Sequence, residues 1–198
     1  MTPRPAPEGW LAEIFSRALP YLDTRNNEIH ARISYYFALR LIESEGGDPG
    51  VILPAILIHD VGWKSVPEED HLKAFGPGDY DVKLNRIHEV EGAATAGRIL
   101  ADMGYDPACT AEIVEIISGH DSRLEPLSLN DAIVKDADKL WRFSEEALDI
   151  DPKRFKLDPA SHAAGLKHRI DEWMLTKTGK KLAAEEQSRR AEFFGPPK

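Results

Sequence analysis

Ile56-Leu57-Ile58-His59-Asp60-Val61-Gly62-Trp63 is the stretch on which the reading of this chain turns. An apolar run from Val51 to Ile58 ends abruptly in a His-Asp pair, and a glycine two residues later lets the backbone turn. Buried apolar flanks would place an imidazole and a carboxylate side by side at the end of a core helix. Both groups are ligands for a hard or borderline divalent metal. Taken alone, the pair also reads as an ordinary helix end, where the histidine meets the dipole and the aspartate solvates the exit. What shifts the balance is the rest of the chain, with His30 upstream and His88, His120 and the Asp136/Asp138 pair downstream.

Hydrophobic periodicity predicts helices on both sides. Glu8 to Leu22 forms a first, with Pro20 ending or kinking it. Glu28 to Glu45 forms a second, with Ile33, Tyr36, Phe37 and Leu41 on one face. His30, in its first turn, shares the face of Ile33 and Phe37 and so points inward. Gly46-Gly47-Asp48-Pro49 is a stop. The central helix covers Pro49 to Asp60, or starts only at Pro54. Gly62 to Asp81, rich in Gly, Pro and charge, reads as a long loop of the kind that serves as a lid. Further helices are expected over Val82–Met103, Pro107–Gly119 and Leu129–Glu146, then a polar loop from Leu148 to Pro159. A last helical region covers Ala160 to Phe194, interrupted near Thr178-Gly179. No stretch reads as a strand. The fold class is all-α, a single-domain bundle of roughly six to eight helices.

Composition narrows the function. With 198 residues the chain fits one well-cored domain. The net charge of −9 argues against polymeric nucleic acid as a partner, though not against a nucleotide whose phosphate meets a bound metal. A single cysteine, Cys109, excludes a disulfide within the chain and any zinc site built from several thiolates. No apolar run reaches the ~20 residues needed to cross a bilayer, so no membrane partner is expected. Residues 1–7 are proline-rich without an apolar signal core, and read as a disordered leader on a cytoplasmic protein.

Three predicted helices each deliver a His or an Asp: His30 opens one, His59-Asp60 closes the next, and Asp136 and Asp138 lie within a later one. Packed side by side, these groups would converge in an apolar interior, where a shared metal would satisfy several at once. His88 and His120 lie near further helix ends. His71, His162 and His168 are read as surface residues.

His30, His59-Asp60 and Ala137-Asp138-Lys139-Leu140, in this order and in a helical context, resemble the HD-domain superfamily of metal-dependent phosphohydrolases. The resemblance covers about Glu28 to Phe143. It implies an HD-type domain over residues 8–159, leaving 160–198 as a C-terminal helical region packed on that domain or on a second subunit, with a homodimer left open. It implies His30, His59, Asp60 and Asp138 as metal ligands. Asp136 stands about 200° around a helix from Asp138, so it is assigned to a supporting role behind the ligands. His88 and His120 resemble the extra histidines that hold a second metal in some branches and contact phosphate in others. One metal is favoured and the second left open.

The implied activity is hydrolysis of a phosphate ester or anhydride of a nucleotide or other small phosphorylated metabolite, assisted by Mn, Mg, Co, Ni or Zn. Asp60 would orient or deprotonate the attacking water. Lys64 is the first candidate for a phosphate-binding catalytic cation, followed by Arg32 and Lys139. The chain lacks the Gly-Tyr-Pro signature of the branch that cleaves cyclic dinucleotides. Trp63 stands where some nucleotidase branches carry an acid, and packing suits it better than stacking on a base. Two alternatives remain: a di-iron oxygenase on the same scaffold, with Fe as cofactor, and a non-catalytic nucleotide-binding regulatory module.

Overall fold

The computed structural model describes residues 4–75 and 81–194, and among them there are helices and turns but no strand. Helix α1 (Gly9–Leu22) buries Leu11, Ile14, Phe15, Ala18 and Leu22. Helix α2 (Asn27–Glu45) follows a turn in which Arg25 and Asn26 take positive φ. Helix α3 (Pro49–Ile58) is the axis of the bundle, and every residue from Val51 to Ile58 is buried. It packs against α1 and α2, and against two helices further along, α6 (Pro107–Ile117) and α7 (Leu129–Leu140).

Pro54 lies inside α3, which opens at Pro49 under an Asp48 cap. A proline cannot donate to the carbonyl four residues back. That carbonyl, on Gly50, instead accepts a hydrogen bond from the Tyr105 hydroxyl at 2.5 Å. The internal proline is thus tolerated because a side chain from elsewhere replaces the missing donor.

The expected loop after Gly62 is ordered wherever it is described. A 3-10 turn (Val61–Ser65) and a second (Glu68–Asp70) lead into the short α4 (His71–Phe75), and residues 76–80 of the expected lid lie outside the described residues. Trp63, Val66 and Ala74 form a small core of their own. His71 is buried there, its Nε2 2.9 Å from the Val66 carbonyl, which corrects the surface reading.

Helix α5 (Val82–Asp102) crosses this turn at very short range. A Cβ on Gly62 would sit 1.9 Å from the His88 carbonyl and 2.4 Å from the Gly92 nitrogen. The glycine after the His-Asp pair is therefore required for close approach, beyond its use in turning the chain.

Three expectations fail in the second half. The helix expected over Leu129–Glu146 breaks into α7, a 3-10 turn (Trp141–Phe143) and a new start at Ser144, whose hydroxyl accepts from Ala147 N. The expected polar loop Leu148–Pro159 is mostly helix α8 (Glu145–Phe155), with Pro152 inside it. Its buried Asp151 pairs with Arg142 and Arg154, an anchor that its polar sequence concealed.

Helices α9 (Pro159–Leu166), α10 (Ile170–Trp173) and α11 (Lys177–Phe194) complete the chain, broken at Met174–Thr176 rather than near Thr178-Gly179. α11 packs on α7 and α2. At the opposite end, Met1 to Pro3 of the expected leader lie outside the described residues, while Arg4 pairs with Glu146.

Two substitutions test this packing. Gly62→Ala should lower the unfolding free energy by about 1–3 kcal/mol through overpacking, read as a lower urea midpoint; an unchanged midpoint would show that α5 can retreat. Asp136 accepts hydrogen bonds from Leu175 N at 2.7 Å, Thr176 N at 2.9 Å and Thr176 Oγ1 at 2.7 Å. Asp136→Asn keeps the volume but replaces one acceptor oxygen with a donor. Its expected loss is about 1–3 kcal/mol, with faster proteolysis at the Met174–Thr176 break.

Candidate metal centre

The centre is built from the ends of α3 and α6. His59 follows the last turn of α3, and its Nδ1–H donates to the Ile56 carbonyl at 2.9 Å. His120 follows α6 in the same way, with Nδ1 2.8 Å from the Ile117 carbonyl. Each bond fixes the ring and leaves Nε2 as the nitrogen free to accept or to coordinate. Asp60 and Asp121 come next in each case, so the two helix ends present the same His-Asp device.

His30, from the first turn of α2, brings its Nε2 to 2.9 Å from His59 Nε2. Asp138, on α7, places Oδ1 3.2 Å from His30 Nε2 and 3.5 Å from His59 Nε2. Asp60 lies between the two halves. Its Oδ1 is 3.6 Å from both His59 Nε2 and His120 Nε2, and its Oδ2 is 3.6 Å from His30 Nε2. On the far side, His88 Nε2 is 3.3 Å from His120 Nε2 and 3.6 Å from Asp121 Oδ2. All four imidazoles are buried.

Three overlapping donor sets result: His30, His59 and Asp138; His59, Asp60 and His120; and His88, His120 and Asp121. Imidazole nitrogens that face one another at 2.9 and 3.3 Å cannot both carry protons, and three carboxylates, Asp60 and Asp138 buried and Asp121 a quarter exposed, lie together. Burial opposes ionisation of Asp60, but His59, His120, His30 and Arg25 outweigh it and hold the group well below the usual carboxylate range. Asp138 is also well below that range, with Lys139, His30 and His59 overriding its burial. Burial disfavours a charged His120, yet Asp60 and Asp121 draw its pKa up to about 9. Burial and the charge on His120 push His88 down to about 4. A proton held on His120 among ionised carboxylates marks a place for positive charge, and a divalent ion would displace it. The donors are nitrogen and oxygen, which suits Mn, Co, Ni, Zn or Fe; the carboxylates also suit Mg.

The surroundings fix these donors. Trp63 is packed as the sequence suggests, stacked on His88 with centroids 4.1 Å apart, and its indole N–H donates to Asp60 Oδ1 at 3.0 Å. Lys139 donates to Asp121 Oδ1 at 2.7 Å and Asp138 Oδ2 at 3.0 Å, and both carboxylates draw its pKa upward against burial. The Glu89 carboxylate accepts from the backbone N–H groups of Asp121 and Ser122, at 3.0 and 2.8 Å, and so shapes the turn after His120.

His30, His59, Asp60, Asp138, His88 and His120 are therefore brought together. Asp136 is not: burial pushes its carboxyl up, and it faces the 175–176 backbone rather than supporting the ligands. Lys64 is also outside, its ammonium 2.6 Å from Asp23 Oδ1 on the exposed side of the turn. Arg32 is exposed and pairs with Glu28. His162 is half-buried rather than on the surface, and His168 is exposed.

The cleft beside the cluster is lined instead by Arg25, Arg142 and Arg154, none of them selected from the sequence. Arg25 sits in the corner made by the rings of Trp63 and Phe75, 3.7 and 3.6 Å from their centroids, where the two rings meet edge to face. Its Nε and Nη1 are buried without a hydrogen-bond partner. Burial lowers its pKa to about 9, so it stays charged at neutral pH. Asp121 was missed as well, although its position after His120, repeating His59-Asp60, is a signal the sequence does carry.

The chain is similar to known proteins across most of this region. The family profile described as "HD domain" matches residues 27–142. The Bacillus subtilis (strain 168) protein named "Putative phosphohydrolase YueE" is 32% identical over 140 residues, covering 66% of this chain and 74% of that protein. The crystal structure of a predicted HD superfamily hydrolase from an uncultured Thermotogales bacterium superposes with a TM-score of 0.62. That likeness, at 23% identity over 92% of this chain and 88% of the other, is one of fold. With this profile match and this relative, on top of the clustered His and Asp side chains, the chain belongs to the HD-domain family.

Proposed function

We propose that the protein is a metal-dependent phosphohydrolase that cleaves a phosphate ester or anhydride of a small phosphorylated metabolite, a nucleotide among the candidates. The observation that carries this reading is the cleft, where a buried His-Asp cluster faces Arg25, Arg142 and Arg154. Divalent ions held by His30, His59, Asp60 and Asp138, and by His88, His120 and Asp121, would supply Lewis-acid polarisation of a phosphoryl oxygen and make a water more acidic. Asp60, ionised and central, is placed to orient the attacking water through a hydrogen bond. Arg25 offers unpartnered N–H groups on a guanidinium that aromatic rings hold in place, which suits the non-bridging oxygens of a phosphoryl group. Lys139 keeps its proton between Asp121 and Asp138 and offsets their charge, so Arg25 is the cation that takes the phosphate-binding part the sequence offered first to Lys64. The same donor sets would also serve an oxygen-activating di-iron enzyme; the arginine-lined cleft favours phosphate.

Elemental analysis of untagged protein should find divalent ions on the wild-type chain and fewer on a His59→Ala/Asp60→Ala variant, which keeps only the His88, His120 and Asp121 set. Saturating Mn²⁺ should stabilise the wild type more than the variant, by about 2.7 kcal/mol for the lost site at a hundredfold excess over Kd. Full occupancy in the double variant would refute the shared centre, and two irons with oxygen consumption and no phosphate release would put the oxygenase first. Arg25→Gln should leave the ion content unchanged and lower kcat/KM for phosphate release about ten- to a hundredfold, the worth of a charge-assisted hydrogen bond. An unaltered kcat/KM would remove Arg25 from the phosphate site.

A further inference from the structure

A cavity of about 910 Å³ lies beside the metal cleft. Phe75 and Arg142 line both. Lys139 lines the cavity while its ammonium pairs with Asp121 and Asp138 of the cluster. The cavity therefore adjoins the place where a phosphoryl group would be held. Its size is within the range of pockets that enclose whole metabolites, and far beyond what a phosphate needs.

The wall chemistry is specific. Phe75, Phe155 and Trp173 present aromatic surface, which favours a planar ring over an acyclic chain. The charged side chains around the rim are already engaged. Arg169 pairs with Glu172 at 2.8 Å, Asp158 accepts from Ser161 N at 2.8 Å, and Arg142 pairs with Asp151 at 3.3 Å. His162 differs, because it lines the cavity and its buried Nε2 has no hydrogen-bond partner. Burial lowers its pKa, so the ring is neutral at pH 7 and matches a hydroxyl or ring nitrogen rather than a second phosphate.

We propose that this cavity receives the leaving group of the substrate, a phosphate monoester whose alcohol carries a planar ring of nucleoside size or larger, with His162 hydrogen-bonding its polar edge. This rests on the phosphohydrolase reading above. In the reaction, water adds its oxygen to phosphorus as the bond from phosphorus to the alcohol oxygen breaks. The alcohol takes up a proton, inorganic phosphate forms, and nothing is oxidised or reduced.

Gly165 supplies the test. It lines the cavity, and a Cβ added there meets nothing within 4 Å. Gly165→Trp should therefore intrude into the cavity and narrow it without a clash at its own Cβ. The Mn²⁺-loaded wild type and this variant would be compared on adenosine 5′-monophosphate and on glycerol 3-phosphate, whose alcohol is small and acyclic. The variant should lose at least tenfold in kcat/KM for the nucleotide relative to glycerol 3-phosphate. His162→Leu, which carries the test if Gly165→Trp fails to fold, should raise KM for the nucleotide about tenfold with little change in kcat. Hydrolysis of both compounds with the ratio unchanged in both variants overturns the cavity assignment and leaves the phosphohydrolase standing. No hydrolysis of the nucleotide by the loaded wild type, while it releases phosphate from glycerol 3-phosphate or from a panel of phosphate anhydrides, overturns the leaving-group assignment alone; no phosphate release from any of these overturns the phosphohydrolase reading as well.

Discussion

Three ionised carboxylates, Asp60, Asp121 and Asp138, lie together in an apolar bundle, and most of the local architecture answers to them. Buried charge is costly unless it is matched at close range. Here the match comes from imidazoles on three sides, from Lys139 and from the guanidinium of Arg25. Each compensating group is itself constrained. His59 and His120 are tied to carbonyls of their own helices. Arg25 is held in the corner of two rings. Removing any one partner leaves the others over-charged, which is why the cluster behaves as a unit rather than as a sum of pairs.

The two His-Asp helix ends show how one local device serves two positions. In both, the histidine donates to the carbonyl three residues back and the aspartate follows it. Their surroundings differ. Asp60 is fully enclosed by the cluster and by the Trp63 indole, while Asp121 faces Lys139 and Asn85 and is a quarter exposed. Asp60 therefore suits a bridging, inward role and Asp121 an outward one. The tight Gly62 crossing makes this geometry attainable, because it lets α5 bring His88 across the α3 exit.

What was legible in the sequence followed from periodicity and from residue chemistry. Val51 to Ile58, unbroken and apolar, read as a buried segment ending in helix, and the angle between Asp136 and Asp138 meant that one alone could face His30. Contacts between distant segments were not legible. Nothing local to Pro54 announces that Tyr105 will satisfy the Gly50 carbonyl, so the start of α3 stayed open. Helix α8 looked polar because one of the partners that buries its Asp151, Arg142, comes from the preceding 3-10 turn, while the other, Arg154, stands one turn along the same helix. Lys64 looked well placed by its nearness to His59-Asp60 along the chain, yet the 3-10 turn carries it outward to Asp23. Arg25 sits in a turn that has no period to read.

That displacement of the cations has a consequence for how the cleft would handle phosphate. Arg142 and Arg154 are both held by Asp151, so their charge is partly spent within the protein. Arg25 has no carboxylate in contact; its nearest neighbours are π faces, which position a guanidinium without occupying its N–H groups. An arginine kept charged, fixed and unpaired beside a buried polar cluster is destabilising in isolation, since its desolvation is not repaid by a salt bridge. The arrangement makes physical sense when an anion completes it, and the carboxylates across the cleft would repel that anion unless cations lie between. Arg25 and the donor sets thus imply each other: the first calls for a negatively charged ligand, and the second for the metal ions that would let it approach.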